Sequence, residues 1–185
     1  VDANHNSINV TVASEVPRTV TATADLWRTE VIPYPLAEVS DLLEDRSKPS
    51  RLHEEVFVQP DRIVPGLKRS IAWYHQNSKS NGPSRIAELQ GLDEYLEQRP
   101  DPLLGRIFGA LVSGWNEKGH PATASSDASL VTPPGTHHHF CIGVSAGRHG
   151  SWMNWMKSAE HEIKSSSEGG LDKSRLRHRS WWHGF

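Results

Sequence analysis

The sequence contains a single cysteine, Cys141, so no internal disulfide can form. That usage fits a reducing compartment and predicts a cytoplasmic protein. No apolar run approaches the roughly 20 residues of a membrane-spanning helix, which excludes a helical membrane span. An excess of one charge is missing too: 20 Lys and Arg stand against 22 Asp and Glu, for a net charge of −2. The balance argues against nucleic acid or anionic lipid as a partner. The opening stretch, VDANHNSINV, has neither the basic nor the apolar region of a signal peptide. Its first residue is Val1 rather than methionine, which reads as a processed or trimmed start. No internal repeat is visible.

What the chain has in quantity is histidine and tryptophan, eleven and seven residues. Tryptophan brings a large apolar surface with one donor, and histidine brings an imidazole that titrates near neutrality. The 185 residues suffice for a real core. The pattern of elements divides them into a single α+β domain over 1–170 and a basic, Trp-rich tail over 171–185. Ile8, Val10 and Val12 alternate with polar neighbours, as in a strand. Val20, Ala22, Ala24 and Leu26 share one face of a second extended segment. Residues 34–50 read as a helix, with Pro35 in its first turn and Leu36, Val39, Leu42 and Leu43 on its apolar stripe. In the next clear strand Ile71, Trp73 and His75 face one way, and Ser70, Ala72 and Tyr74 the other.

Residues 84–113 read as a helical hairpin. Ile86, Leu89, Leu92 and Leu96 stripe its first helix. Asp101 can cap the second, Pro102 can start it and Gly114 can end it. Near the C-terminus Ser151 caps a last helix, with Trp152, Trp155, Met156, Ala159 and Ile163 on one face. The expected class is therefore α+β: an antiparallel sheet against a long C-terminal helix, in a helix-grip-like arrangement with the helical hairpin inserted.

The segment VTPPGTHHHFCIGVS carries the functional question. Alternation along a strand puts His138, Phe140, Ile142 and Val144 on one face, and His137, His139, Cys141 and Ser145 on the other. The apolar face should look inward, taking His138 with it. His137 and His139 then form a His-x-His pair able to chelate a divalent metal, with Cys141 as a third ligand. The plain alternative is three partly solvated histidines at a strand start. His161 falls off the apolar face of its helix and reads as surface.

Three resemblances bear on this. EVIPYPLAEVSDLLEDRSKPSRL, followed late in the chain by PGTHHHFCIGVSAGRHG and SWMNWMKSAEHEIKSSSE, resembles the START-like, or Bet v 1-like, superfamily that includes polyketide cyclases. The resemblance implies a helix gripped by a curved sheet around an apolar cavity. DASLVTPPGTHHHF is similar to the second cupin motif, with Pro133, Gly135 and His138 in the matching places. A cupin would use His138 as a metal ligand; of the first cupin motif only His53 and Glu55 have counterparts. VSGWN, PPGTHHH, WMNWMKSA and SWWHG are similar to scattered pieces of D-Ala-D-Ala zinc metallopeptidases, without that family's Arg, its ligand Asp or its Glu before Trp-His.

The expectation is an interior pocket for an apolar or aromatic small molecule, polyketide- or lipid-like. Its lining would be Trp73, Phe140, Ile142, Trp152, Trp155 and Met156. His75 and His138 would be its catalytic groups, in a cofactor-free cyclase or dehydratase running on histidine acid–base chemistry. One alternative is a cupin-type metal-dependent enzyme, such as an oxygenase, holding Fe or Zn on His137 and His139. Another is a non-catalytic interaction protein that docks through its C-terminal tail.

Overall fold

The computed structural model of the chain describes residues 4–35, 55–78, 83–99, 101–168 and 170–184. In chain order these form β1 (Ser7–Arg18), β2 (Thr21–Thr23), β3 (Ile32–Pro35), β4 (Glu55–Val58), β5 (Arg62–Ile63) and β6 (Ser70–Gln76). Then come α1 (Pro83–Leu89), α2 (Asp93–Gln98), β7 (Ile107–Asn116), β8 (Thr123–Ser126), β9 (Ser129–Val131), β10 (Gly135–Gly147), α3 (Trp152–Ser167) and α4 (Gly170–Trp182). The class is α+β. The chain folds as two compact units. The first comprises Val1–Asp25, Arg62–Tyr74 and Ile107–Phe185; the second comprises Leu26–Asp61 and His75–Arg106.

The first unit is built on a five-stranded sheet in the order β1-β10-β7-β6-β5. Its register sets Val10 opposite Phe140 and Ile142 opposite Val112, in antiparallel pairs. Both faces are covered. On one, Ile71, Val112 and Phe140 meet Ala122, Leu130 and Ala22 of a second sheet, ordered β2-β9-β8. On the other, Ala72, Tyr74, Ile107 and Leu111 pack against Trp155 and Ala159 of α3.

Local chemistry explains α3. The Ser151 hydroxyl accepts the Asn154 N–H at 3.2 Å, capping the first turn. Trp155 and Ala159, one turn apart, are both 0% exposed. The Trp155 indole N–H donates to the Ser145 carbonyl at 2.9 Å, so the ring is buried with its donor satisfied. Gly143 lets the helix come close: a Cβ there would collide with the Ala159 carbonyl.

Several expected elements differ. Residues 101–114 are not the second helix of a hairpin: after a turn at 101–104 they enter β7, a central strand. Its two faces are both buried, Ile107 and Leu111 under α3 and Val112 under the second sheet. A strand buried on both sides carries a nearly continuous apolar run, which imitates helical spacing. Asp101 does cap: its carboxylate accepts the Leu103 N–H at 2.8 Å, but only for that one turn. The helical pair is α1 and α2, where one helix was expected, divided at Gly91 with φ +70°. Pro35 closes β3 rather than opening a helix, and the helix expected over 36–50 lies outside the described residues. Residues 123–126 form β8. The basic tail is helical, as α4.

Candidate functional site

The three histidines of β10 have three different environments. His138 is 2% exposed. Its Nε2 lies 3.0 Å from the Gly135 carbonyl and its Nδ1 lies 2.7 Å from the Thr132 hydroxyl. A carbonyl only accepts, so Nε2 carries the proton and Nδ1 receives the hydroxyl. Both ring nitrogens are used in pinning the turn between β9 and β10.

His137 is exposed, with Nδ1 3.2 Å from the Thr136 hydroxyl. Its backbone N–H and that of Thr136 donate to the Glu117 carboxylate at 3.3 and 3.4 Å. The Glu117 carboxyl is held below its ordinary value, first by its own backbone N–H and then by those of His137 and Thr136.

His139 is half-buried. Its Nε2 lies 3.0 Å from Asn9 Oδ1, an amide oxygen that only accepts, so Nε2 is the donor. The ring stands edge-on to Trp115, centroids 4.4 Å apart at 83°. Burial pushes the imidazole pKa down, because desolvation penalises the cation. Nδ1 of the neutral ring is left as an acceptor, and no described residue occupies it. Asn9 is fixed in turn: its side-chain N–H donates to Ser166 Oγ at 3.3 Å, and Ser166 also receives the Ser7 hydroxyl at 2.7 Å. The chain His139–Asn9–Ser166 thus ties β10 to β1 and to the last turn of α3.

These groups line an open groove of about 470 Å³, floored by Asn9, Thr11, His139 and Trp115 and walled by Ser166 and Leu171. His137 and Glu117 also line it. Among the described residues no lysine or arginine lines it, and the one fixed charge they bring, that of Glu117, is negative. His137 and His139 therefore do reach a common groove. Cys141 lies on the same strand face but is fully buried beneath α3. Among the described residues no three His, Cys, Asp or Glu side chains converge as a metal-ligand set.

The other sequence-derived site residues lie elsewhere. Trp73, Phe140 and Ile142 come together along an apolar groove of about 290 Å³ between the two sheets of the first unit. Trp155 and Met156 pack on the opposite face of the large sheet, and Trp152 stacks on Tyr74 at 6.5 Å. His75 belongs to the second unit. It is buried, with Nδ1 3.0 Å from Asp61 Oδ1, and Arg28 Nη2 meets the same oxygen at 2.8 Å. The Arg28 guanidinium also lies 4.9 Å from the Trp27 ring. His161 is exposed, as expected.

Sequence reasoning missed Asn9, Trp115, Glu117 and Ser166. Asn9 and His139 are 130 residues apart, and Asn9 and Ser166 are 157 apart, so no local motif joins them. Trp115 was findable: it ends an apolar run in register opposite His139 once β7 is read as a strand.

Among the described residues no helix is long and apolar enough to cross a membrane. Comparisons with curated proteins and with solved structures give no match. The match of the whole length, residues 1–185, is to the family described as a domain of unknown function (DUF5703), and the chain belongs to that family.

Proposed function

We propose that the first unit binds a small organic molecule in the groove beside the histidine strand. The observation that carries this reading is His139. Its donor nitrogen is locked onto Asn9, burial keeps the ring neutral, and its acceptor nitrogen is left for a ligand. A ligand O–H or N–H would donate to Nδ1 while an apolar plane of the same molecule lies against Trp115. Glu117 adds negative charge at the groove, which favours a neutral or cationic ligand over an anionic one. Should the domain turn its ligand over, His139 Nδ1 is the base, with Asn9 holding the ring in the required tautomer.

The test is a fragment screen by saturation-transfer NMR, using neutral, cationic and anionic aromatic probes in matched sets. Neutral and cationic probes should bind the native chain. Their signals should vanish in His139→Phe, which keeps a ring and removes the acceptor, and weaken at least tenfold in Trp115→Ala. Hits that ignore both substitutions, or a set dominated by anions, would refute the reading.

A further inference from the structure

Among the described residues β1 is the outermost strand of the large sheet and pairs on one side only, with β10. The Val144 N–H donates to the Asn6 carbonyl at 2.7 Å, and Ser7 stands opposite Gly143. Even-numbered residues of β1 therefore turn their backbone groups toward β10, and odd-numbered ones turn theirs outward. Among the described residues nothing hydrogen-bonds the outward N–H and C=O groups of Asn9, Thr11 and Ala13. Exposed sheet edges are usually guarded by charge, proline or a covering segment. The stretch Ser7–Ala13 contains neither a charged residue nor a proline. Along one face of it Ile8 and Val10 are 40% and 41% exposed.

We infer that this edge pairs with a second copy of the chain, β1 against β1, antiparallel about a two-fold axis at Val10. A two-fold makes an edge its own partner, so the strand must complement its own reverse. With the axis at Val10, the outward groups of Asn9 meet those of Thr11 in the second copy, and the Ser7 carbonyl meets the Ala13 N–H, the Ser7 N–H being donated to the His5 carbonyl. The intervening positions form the close, non-hydrogen-bonded pairs. There Val10 faces its own copy and Ile8 faces Val12, an unbroken apolar row. Shifting the axis to Thr11 sets Ile8 against Ser14, and shifting it to Asn9 sets Val12 against Asn6. Of these axes only the one at Val10 matches Ile8, Val10 and Val12 entirely among themselves. The product is a continuous ten-stranded sheet.

Sedimentation velocity on the 185-residue chain tests this directly. The expected species at tens of micromolar has twice the 20.6 kDa mass of one chain. Val10→Lys and Val10→Glu should each sediment as monomers with unchanged far-UV circular dichroism, since residue 10 meets its own copy. A one-to-one mixture of the two variants should regain the dimer, which no unrelated interface and no folding defect would produce. A native chain that stays monomeric up to 200 μM overturns the inference. So does a dimer that both single variants leave intact, or a mixture that fails to associate.

Discussion

Replacing Thr132 by valine changes almost no volume and removes one oxygen on which three groups converge. The Thr132 side chain is 1% exposed. Its hydroxyl accepts the Val20 N–H at 3.1 Å, stands 2.7 Å from His138 Nδ1 and lies 3.3 Å from the Val20 carbonyl. One hydroxyl proton can serve only one acceptor, and the shorter contact assigns it to His138. In Thr132→Val the imidazole Nδ1 is left buried without a donor, at a cost of about 1–3 kcal/mol. Val20 is half-buried, so water can replace part of what its N–H loses, adding roughly 0.5–1 kcal/mol. Together the substitution should cost about 1.5–4 kcal/mol. Thr132→Ser is the control, because it keeps the hydroxyl and deletes one methyl, worth about 1 kcal/mol. Urea unfolding at unchanged m-value reads both. A valine variant as stable as the serine variant, or more so, would refute the claim that the hydroxyl rather than packing holds this turn.

Gly143→Ala should cost about 1–3 kcal/mol in a thermal or chemical melt, because its methyl meets the Ala159 carbonyl of a helix that has no slack there. His139, with its pKa below the ordinary 6.5 in the fold, contributes stability that is full above that value and is lost as pH falls through the folded value. Unfolding free energies at pH 7.5 and pH 5 should therefore converge in His139→Gln relative to the native chain. Asp61→Ala strips the carboxylate from between Arg28 and His75 and should destabilise by about 3–5 kcal/mol. Hydrogen exchange should register that loss first in the amides of 55–63 and 75–77.

How far the fold was legible depended on how many faces of each element are buried. α3 was readable because cap and stripe agree: Ser151 caps it, and Trp155 and Ala159 are its buried core. β10 was readable as a strand, but only one of its faces was expected to be inside. The face with Cys141, Gly143 and Ser145 is equally buried, because α3 sits on it. Nothing apolar advertises that face; glycine and serine make room for a helix without signalling one. β7 failed for the opposite reason, with apolar residues on both faces and no alternation left to read. On the histidine strand, the His137–His139 face is the one that meets a groove. What singles out His139 is Asn9 and Trp115, brought by other strands, and strand pairing over such distances leaves no trace in local spacing.

The pairing of β1 with β10 also governs the order of events during synthesis. β1 leaves the ribosome well before its partner strand, Gly135–Gly147, which follows the whole of the second unit. At ordinary elongation rates of roughly 5–20 residues per second, β1 waits on the order of ten seconds with neither edge paired. The second unit, closed by Arg106, has all its residues during that wait. A nascent chain stalled before residue 135 therefore presents an orphan strand with three valines and an isoleucine, an unpaired apolar edge of the kind that makes folding intermediates prone to aggregate.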